Sequence, residues 1–135
     1  MSRSSRTLLV LAAVALSLAV LLSCSRGAAE TTISQADLAD RIVSQHAPLI
    51  LDVRTASEFD SGHIPGALNI PYTDIRRRIG ELGPSSDREI VVYCERGGRA
   101  MKALSELHEA GFSRVLHLQG DMNAWRKSPF PCAGC

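Results

Sequence analysis

The part of this sequence best equipped for chemistry is a run of six residues that combines a cysteine, two arginines and two glycines: Cys94-Glu95-Arg96-Gly97-Gly98-Arg99. Two adjacent glycines let a backbone curl so that successive N–H groups point inward and bind an anion. A cysteine near arginines and ahead of a helix is favoured as the reactive thiolate. The run therefore predicts a nucleophile, Cys94, in a substrate-binding loop formed by Glu95, Arg96, Gly97, Gly98 and Arg99.

Residue types alone leave more than one chemistry open for this loop. Phosphatases surround a phosphate with a cysteine and an arginine separated by five residues, whereas four residues separate Cys94 from Arg99. The tighter ring suits a terminal sulfur on the cysteine better than a tetrahedral oxyanion. A phosphatase or arsenate reductase is one alternative, and a non-catalytic binding module is another. A buried structural cysteine is disfavoured because the loop is strongly polar.

The flanking residues predict the elements that position this loop. Residues 90–93 form an apolar run typical of a buried strand, and residues 100–110 have helical spacing that ends at Gly111. Helices are also predicted after Ser34, after Thr55, over residues 74–82 and over residues 120–127, and strands over residues 49–53 and 115–118. This alternation indicates an α/β fold with a mainly parallel sheet between helices, in which ligands bind beyond the carboxyl ends of strands. Cys94 occupies such a position.

A second motif lies upstream of the loop and consists of Leu51-Asp52-Val53-Arg54, Glu58-Phe59, Gly62-His63-Ile64-Pro65-Gly66-Ala67 and Asn69-Ile70-Pro71. In this order and spacing, the two motifs together resemble the single-domain rhodaneses, which are sulfurtransferases. The resemblance runs from about Ser34 to Lys127. It implies a rhodanese-like three-layer α/β domain over residues 34–128.

The resemblance also implies roles for individual residues. Cys94 matches the nucleophile that takes sulfane sulfur from a small anionic donor such as thiosulfate, holds it as a persulfide and passes it to a thiol or cyanide. Arg99 matches the arginine that closes the loop, and Asp52 matches a position near the loop, where we expect an acceptor that supports it. No cofactor is implied.

Other residues of the two motifs are expected to be structural or unfavourable for the donor. Glu95 departs from the basic or neutral residue that many rhodaneses carry after the cysteine, and its carboxylate weakens attraction for a dianionic donor. Arg54 and Glu58 are predicted to pair with each other. His63 is assigned to a turn, because attack by a thiolate needs no separate base.

The N-terminus has the layout of a secretory signal. Arg3 and Arg6 precede an apolar stretch at residues 7–22, followed by Ser23 and Cys24. The stretch is shorter than the roughly 20 apolar residues that span a bilayer, which favours a signal peptide over residues 1–23 rather than an uncleaved anchor.

Leu21-Leu22-Ser23-Cys24 also resembles the lipobox of bacterial lipoproteins, which implies a lipid on Cys24 and a linker over residues 24–33. In that family an aspartate after the cysteine signals retention in the inner membrane, and this sequence has Ser25 there. We therefore expect the domain on the periplasmic side of a bacterial membrane, anchored in the outer membrane.

The C-terminal tail, residues 129–135, contains a C-x-x-C pair, Cys132 and Cys135, that lies outside the rhodanese pattern. In an oxidising compartment we expect the pair to form a local disulfide or to have no role; alternatively it is a resolving dithiol that collects sulfur from Cys94 or reduces it. One such pair supplies only two of the four ligands of a structural zinc site. His46, His108 and His117 add no ligand spacing, so we expect no metal.

The composition of the chain argues against nucleic-acid binding. The chain has a net charge of +1, and removal of Arg3 and Arg6 leaves 13 basic against 14 acidic residues. Aromatic residues make up 4% of the sequence. Neither the near-neutral charge nor the low aromatic content favours a nucleic-acid partner.

Overall fold

The structure is a computed structural model that describes residues 31–84 and 88–135. The predicted signal peptide and Cys24 lie outside these residues. Within the described ranges, no helix is long and apolar enough to cross a membrane.

The chain forms a five-stranded parallel sheet with helices between the strands. The strands are β1 (Thr32–Ile33), β2 (Leu49–Asp52), β3 (Leu68–Asn69), β4 (Ile90–Tyr93) and β5 (Val115–Leu118). The α-helices are α1 (Gln35–Val43), α2 (Ala56–Asp60), α3 (Ile75–Arg78), α4 (Gly98–Glu109) and α5 (Asp121–Trp125), with short 3-10 helices at Tyr72–Asp74 and Ile79–Leu82. The strand order is β1-β5-β4-β2-β3, and every pair is parallel.

Strand β4 lies at the centre of the sheet and is buried on both faces. Because side chains alternate along a strand, Ile90 and Val92 pack into one core while Val91 and Tyr93 pack into the other. The first core includes side chains of α4, and the second includes side chains of α1 and α5. This arrangement confirms the predicted three-layer α/β fold.

Local sequence signals set the starts of two helices. The Ser34 hydroxyl accepts the Asp37 N–H at the start of α1. At the start of α2, the Thr55 hydroxyl accepts the Glu58 N–H, and the Glu58 carboxylate accepts the Thr55 N–H at 3.0 Å. This capping box was predicted from the residue spacing, and it fixes the direction in which Glu58 leaves the helix.

Two predictions differ from the structure in the kind of element that forms. Thr32 and Ile33 belong to strand β1, inside the stretch expected to be linker, and Ile33 is buried. A two-residue strand is too short to show a periodic pattern, and its pairing with β5 comes from residues far away in sequence. The helix predicted over residues 74–82 is one α-helical turn between two 3-10 helices; Gly80, a weak helix former, lies in the second of these.

Candidate active site

Cys94 lies at the carboxyl edge of the sheet, immediately after β4 and four residues before α4. It is 2% exposed and is the free cysteine of the described residues. The position is the one predicted for a ligand-binding residue in a parallel sheet. The buried strand before it and the helix after it fix both ends of the loop.

The loop curls back toward the Cys94 sulfur. The Gly97 N–H donates to Cys94 Sγ at 3.0 Å, and Gly97 has a φ of 98°, in the left-handed region that favours glycine. Gly98 is the first residue of α4, so the positive end of that helix lies at the loop. The arrangement provides one N–H donor, that of Gly97, and a helix N-terminus for negative charge at the sulfur.

The loop rests on the first turn of α5. The Met122 N–H donates to the Cys94 carbonyl at 3.0 Å, and the Asn123 N–H donates to the Glu95 carbonyl at 3.2 Å. The Asp121 carboxylate accepts the Cys94 N–H at 2.8 Å through Oδ1, while its Oδ2 lies 3.0 Å from His117 Nε2. These contacts fix the backbone of the nucleophile to the first turn of α5.

Sequence reasoning missed Asp121 and considered His117 only as a metal ligand. The available signal was their spacing of four residues across the turn that links β5 to α5, which brings the two side chains together. No sequence motif connects this pair to Cys94. The contact depends on β4 and β5 being neighbours in the sheet.

Arg99 is held by a carboxylate from the upstream motif. Its Nη1 and Nη2 donate to the two oxygens of Glu58, each at 2.7 Å. These hydrogen bonds are the main reason why the pKa of Arg99 is raised, and interaction with the Cys94 side chain adds to it. Arg99 therefore joins the nucleophile to α2 and closes the loop.

The predicted pair between Arg54 and Glu58 is wrong. The capping box with Thr55 directs Glu58 toward α4, where it meets Arg99. Arg54 instead pairs with Asp52. The Asp52 carboxylate accepts hydrogen bonds from the Arg54 backbone N–H, Nε and Nη2 at 2.6 to 3.1 Å. Both side chains are fully buried, and the ion pair between them compensates for the burial of each charge.

We predict that the Glu58–Arg99 pair makes the stability of the folded protein depend on pH in the acid range. The hydrogen bonds from Arg99, against an opposing effect of burial and with help from Thr55, lower the pKa of Glu58 from 4.5 to about 2. Because the folded-state pKa is depressed, the stabilisation is present above the unfolded-state value and is lost as pH falls from about 5 toward 2. Melting temperatures of the wild type and Glu58→Gln should therefore differ at neutral pH and converge over this range.

The control for this prediction is Asp40→Asn, which changes an exposed carboxylate on α1. Its melting temperature should follow that of the wild type across the same pH range. A difference between wild type and Glu58→Gln that stays constant down to the acid limit would contradict the assignment to this pair.

Asp52 reaches the loop through Arg54 rather than directly. Arg54 Nη2 also donates to the Gly62 carbonyl at 2.8 Å, and Nη1 lies 3.6 Å from Glu95 Oε2. The guanidinium group lies near the Tyr93 ring, 5.6 Å from its centroid. The expected support of the loop by Asp52 is therefore replaced by support through a buried arginine that Asp52 orients.

Glu95 and Arg96 differ in how the fold uses them. The Glu95 carboxylate accepts from Arg126 Nη1 at 2.6 Å as well as facing Arg54. Arg96 is exposed. Part of the Glu95 charge is therefore offset by Arg126, just after α5, and by Arg54, which the sequence did not predict.

The C-terminal tail is attached to the domain. Cys132 and Cys135 form a disulfide, which is also the oxidised state of a resolving dithiol. Ala133 pairs with His63 through two backbone hydrogen bonds of 2.9 Å, and Trp125 Nε1 donates to the Pro131 carbonyl at 3.0 Å. The His63 ring stacks on Phe59, in keeping with the structural role expected for it.

Comparison with known proteins agrees with this geometry. The family model described as "Rhodanese-like domain" matches residues 34–128. A sulfurtransferase of Allochromatium vinosum is 35% identical over 99 residues, covering 73% of this chain and 91% of that protein. The thiosulfate:glutathione sulfurtransferase of Saccharomyces cerevisiae is 33% identical over 98 residues, covering 63% of this chain and 70% of that protein.

Solved structures show the same similarity. The crystal structure of a rhodanese-related protein from Thermoplasma volcanium has a TM-score of 0.66 and 27% identity, covering 77% of this chain and 98% of that one. Two longer relatives are matched over only 27% of their length. A cysteine loop of this shape, on this parallel sheet and within this matched region, shows that the chain belongs to the rhodanese-like domain family.

Proposed function

We propose that the protein is a sulfurtransferase that carries sulfane sulfur as a persulfide on Cys94. The observation that supports this most strongly is the Cys94 sulfur at the centre of its loop, with the Gly97 N–H 3.0 Å away and Arg99 beside it. The names of the two sulfurtransferase relatives support the same class of reaction. Thiosulfate as the donor, and cyanide or a thiol as the acceptor, are part of the proposal.

The proposed reaction has two balanced steps. The Cys94 thiolate attacks the outer sulfur of thiosulfate, a sulfur–sulfur bond forms, and sulfite leaves with the electron pair of the broken bond. The acceptor, cyanide or a thiolate, then attacks the outer sulfur of the persulfide. Thiocyanate or a new persulfide leaves, and the Cys94 thiolate is restored.

Loop size distinguishes this proposal from the phosphatase alternative, and mass spectrometry tests it. Purified full-length protein should gain one sulfur atom after treatment with thiosulfate, and should not hydrolyse an aryl phosphate. Phosphate release without a sulfur gain would favour the phosphatase. No gain with thiosulfate or with a low-molecular-weight persulfide, and no phosphate release, would favour the binding module.

We predict that Glu95→Gln lowers the KM for thiosulfate. The variant removes a negative charge beside the nucleophile and releases Arg126, both of which favour a dianionic donor. Because exposed charge pairs contribute little, the gain should be roughly two- to fivefold and largest at low ionic strength. Steady-state kinetics at two salt concentrations measures it.

The matched control for Glu95 is Glu109→Gln, which removes an exposed carboxylate at the far end of α4. Its KM should equal that of the wild type at both salt concentrations. Loss of turnover in Glu95→Gln would instead mean that Glu95 acts directly, for example by positioning an acceptor thiol.

We also propose that the protein is exported and held at a bacterial membrane by a lipid on Cys24. The support is the order of basic, apolar and small residues that ends in Leu21-Leu22-Ser23-Cys24. The periplasmic face of the outer membrane fits Ser25 at the following position. An oxidising compartment of this kind also fits the Cys132–Cys135 disulfide.

Replacing Cys24 tests the anchor. Cys24→Ser should block lipid attachment, so the protein should move from the membrane fraction to the soluble fraction or accumulate unprocessed. Fractionation followed by mass measurement of the N-terminal peptide distinguishes these results. Membrane association and processing equal to those of the wild type would indicate an uncleaved helical anchor.

A further inference from the structure

Asp121, the first residue of α5, has an unusual environment for an acidic residue. It is 2% exposed, and its φ of 52° lies in the left-handed region. Aspartate tolerates this region better than most residues, but glycine adopts it at lower cost. A buried carboxylate on strained backbone is retained only where its surroundings compensate for it, so its contacts indicate its role.

Both oxygens of the Asp121 carboxylate are used at the Cys94 loop. Oδ1 accepts the Cys94 N–H at 2.8 Å, and Oδ2 accepts from His117 Nε2 at 3.0 Å, since a carboxylate can only accept. A β-carbon at Gly97 would lie 3.2 Å from Asp121 Oδ2 and 3.4 Å from His117 Cε1. The loop therefore curls directly over the Asp121–His117 pair.

The other charged groups that face the loop are paired within the fold or exposed. The paired groups are Asp52 with Arg54, Glu58 with Arg99, and Glu95 with Arg126, while Arg96 is exposed. Asp121 brings a buried negative charge against the backbone of the nucleophile. His117, 18% exposed at its side chain, is the group that hydrogen-bonds to this carboxylate.

We propose that Asp121 and His117 are positioning residues that set the reactivity of Cys94. Asp121 holds the backbone of the nucleophile and places a negative charge beside it, which lowers the reactivity of the sulfur, and His117 weakens that effect through its hydrogen bond to Asp121 Oδ2. The physical basis is that a like charge beside an ionisable group disfavours its charged form. The inference rests on the proposed function, because it concerns the thiolate that would accept sulfur.

We expect substitutions of Asp121 and His117 to change the alkylation rate of Cys94 in opposite directions. Asp121→Asn keeps an oxygen for the Cys94 N–H but removes the charge, so Cys94 should be alkylated by iodoacetamide faster than in the wild type. His117→Ala leaves the Asp121 charge without its partner, so alkylation should be slower. Each change should be roughly three- to tenfold at neutral pH and low salt, as expected for one nearby charge in a partly buried site.

The experiment uses the full chain and measures alkylation at the Cys94 peptide by mass spectrometry, because the sequence has three other cysteines, Cys24, Cys132 and Cys135. Asp40→Asn is the matched control, an identical change on exposed α1, and its rate should equal that of the wild type. The Asp121→Asn/His117→Ala double variant should have a rate between those of the two single variants.

Two results would overturn the proposal. One is a change of the same sign in both single variants; the other is an Asp121→Asn rate equal to that of Asp40→Asn. If Asp121→Asn does not fold, His117→Ala alone decides, and an unchanged or faster rate rejects the proposal. Alkylation needs no sulfur donor, so this test can fail while the thiosulfate-dependent sulfur gain is observed, and the reverse also holds.

Discussion

Serine in place of Cys94 should leave a folded protein that gains no sulfur from thiosulfate and has no sulfurtransferase activity above background. The serine hydroxyl can still accept the Gly97 N–H, so the change in stability should be about 1 kcal/mol or less. A hydroxyl does not form the anionic nucleophile that a thiol forms near neutral pH. Intact mass after thiosulfate treatment, together with a thermal melt, separates lost chemistry from lost folding.

The control for Cys94→Ser is the Cys132→Ser/Cys135→Ser double variant. It removes the tail disulfide and leaves the Cys94 loop intact, so it should still gain one sulfur atom. A sulfur gain that persists in Cys94→Ser but disappears in the double variant would assign the persulfide to the tail. That result would favour the resolving dithiol as the sulfur-carrying site.

Alanine in place of Gly97 should reduce activity by about 100-fold or more, because small displacements of a catalytic group cost about this much. Gly97 has a φ of 98°, and an added β-carbon would press on Asp121 and His117 at 3.2 and 3.4 Å. The loop must then open, which withdraws the Gly97 N–H from the Cys94 sulfur. The free energy of unfolding should also fall, by about 1–2 kcal/mol for the left-handed backbone.

Gly80→Ala is the matched control for Gly97→Ala. Gly80 lies in the second 3-10 helix, away from the Cys94 loop, is exposed and has no atom within 4 Å of an added β-carbon. Alanine there should preserve activity and stability. Steady-state kinetics and thermal melts of the two variants measure the contrast, and equal activity in both would mean that the loop tolerates opening.

Local signals predicted the elements that carry the nucleophile. The apolar run before Cys94 and the glycines after it specify a buried strand, a turn and a helix, and each follows from neighbouring residues. The capping box of Thr55 and Glu58 is likewise a matter of three-residue spacing. These features could be predicted because each depends on residues that are close together in the sequence.

The partners of the charged side chains could not be predicted in the same way. Arg54 and Glu58 are four residues apart, a spacing that suggests a pair, yet the cap directs Glu58 to Arg99, 41 residues away. Asp121 meets Cys94 only because β4 and β5 are adjacent in the sheet. Strand order decides such contacts, and no local pattern encodes it.

Because the strands are parallel, the proposed lipid anchor and Cys94 would lie at opposite ends of the sheet. Seven residues separate Cys24 from Thr32, which enters the sheet at its amino end. A linker of this length spans about 28 Å when fully extended and about 16 Å when relaxed. With a lipid on Cys24, the amino end of the sheet would stay close to the bilayer surface. Because all strands are parallel, Cys94 at the opposite end would face away from the lipid, toward donors and acceptors dissolved in the surrounding compartment.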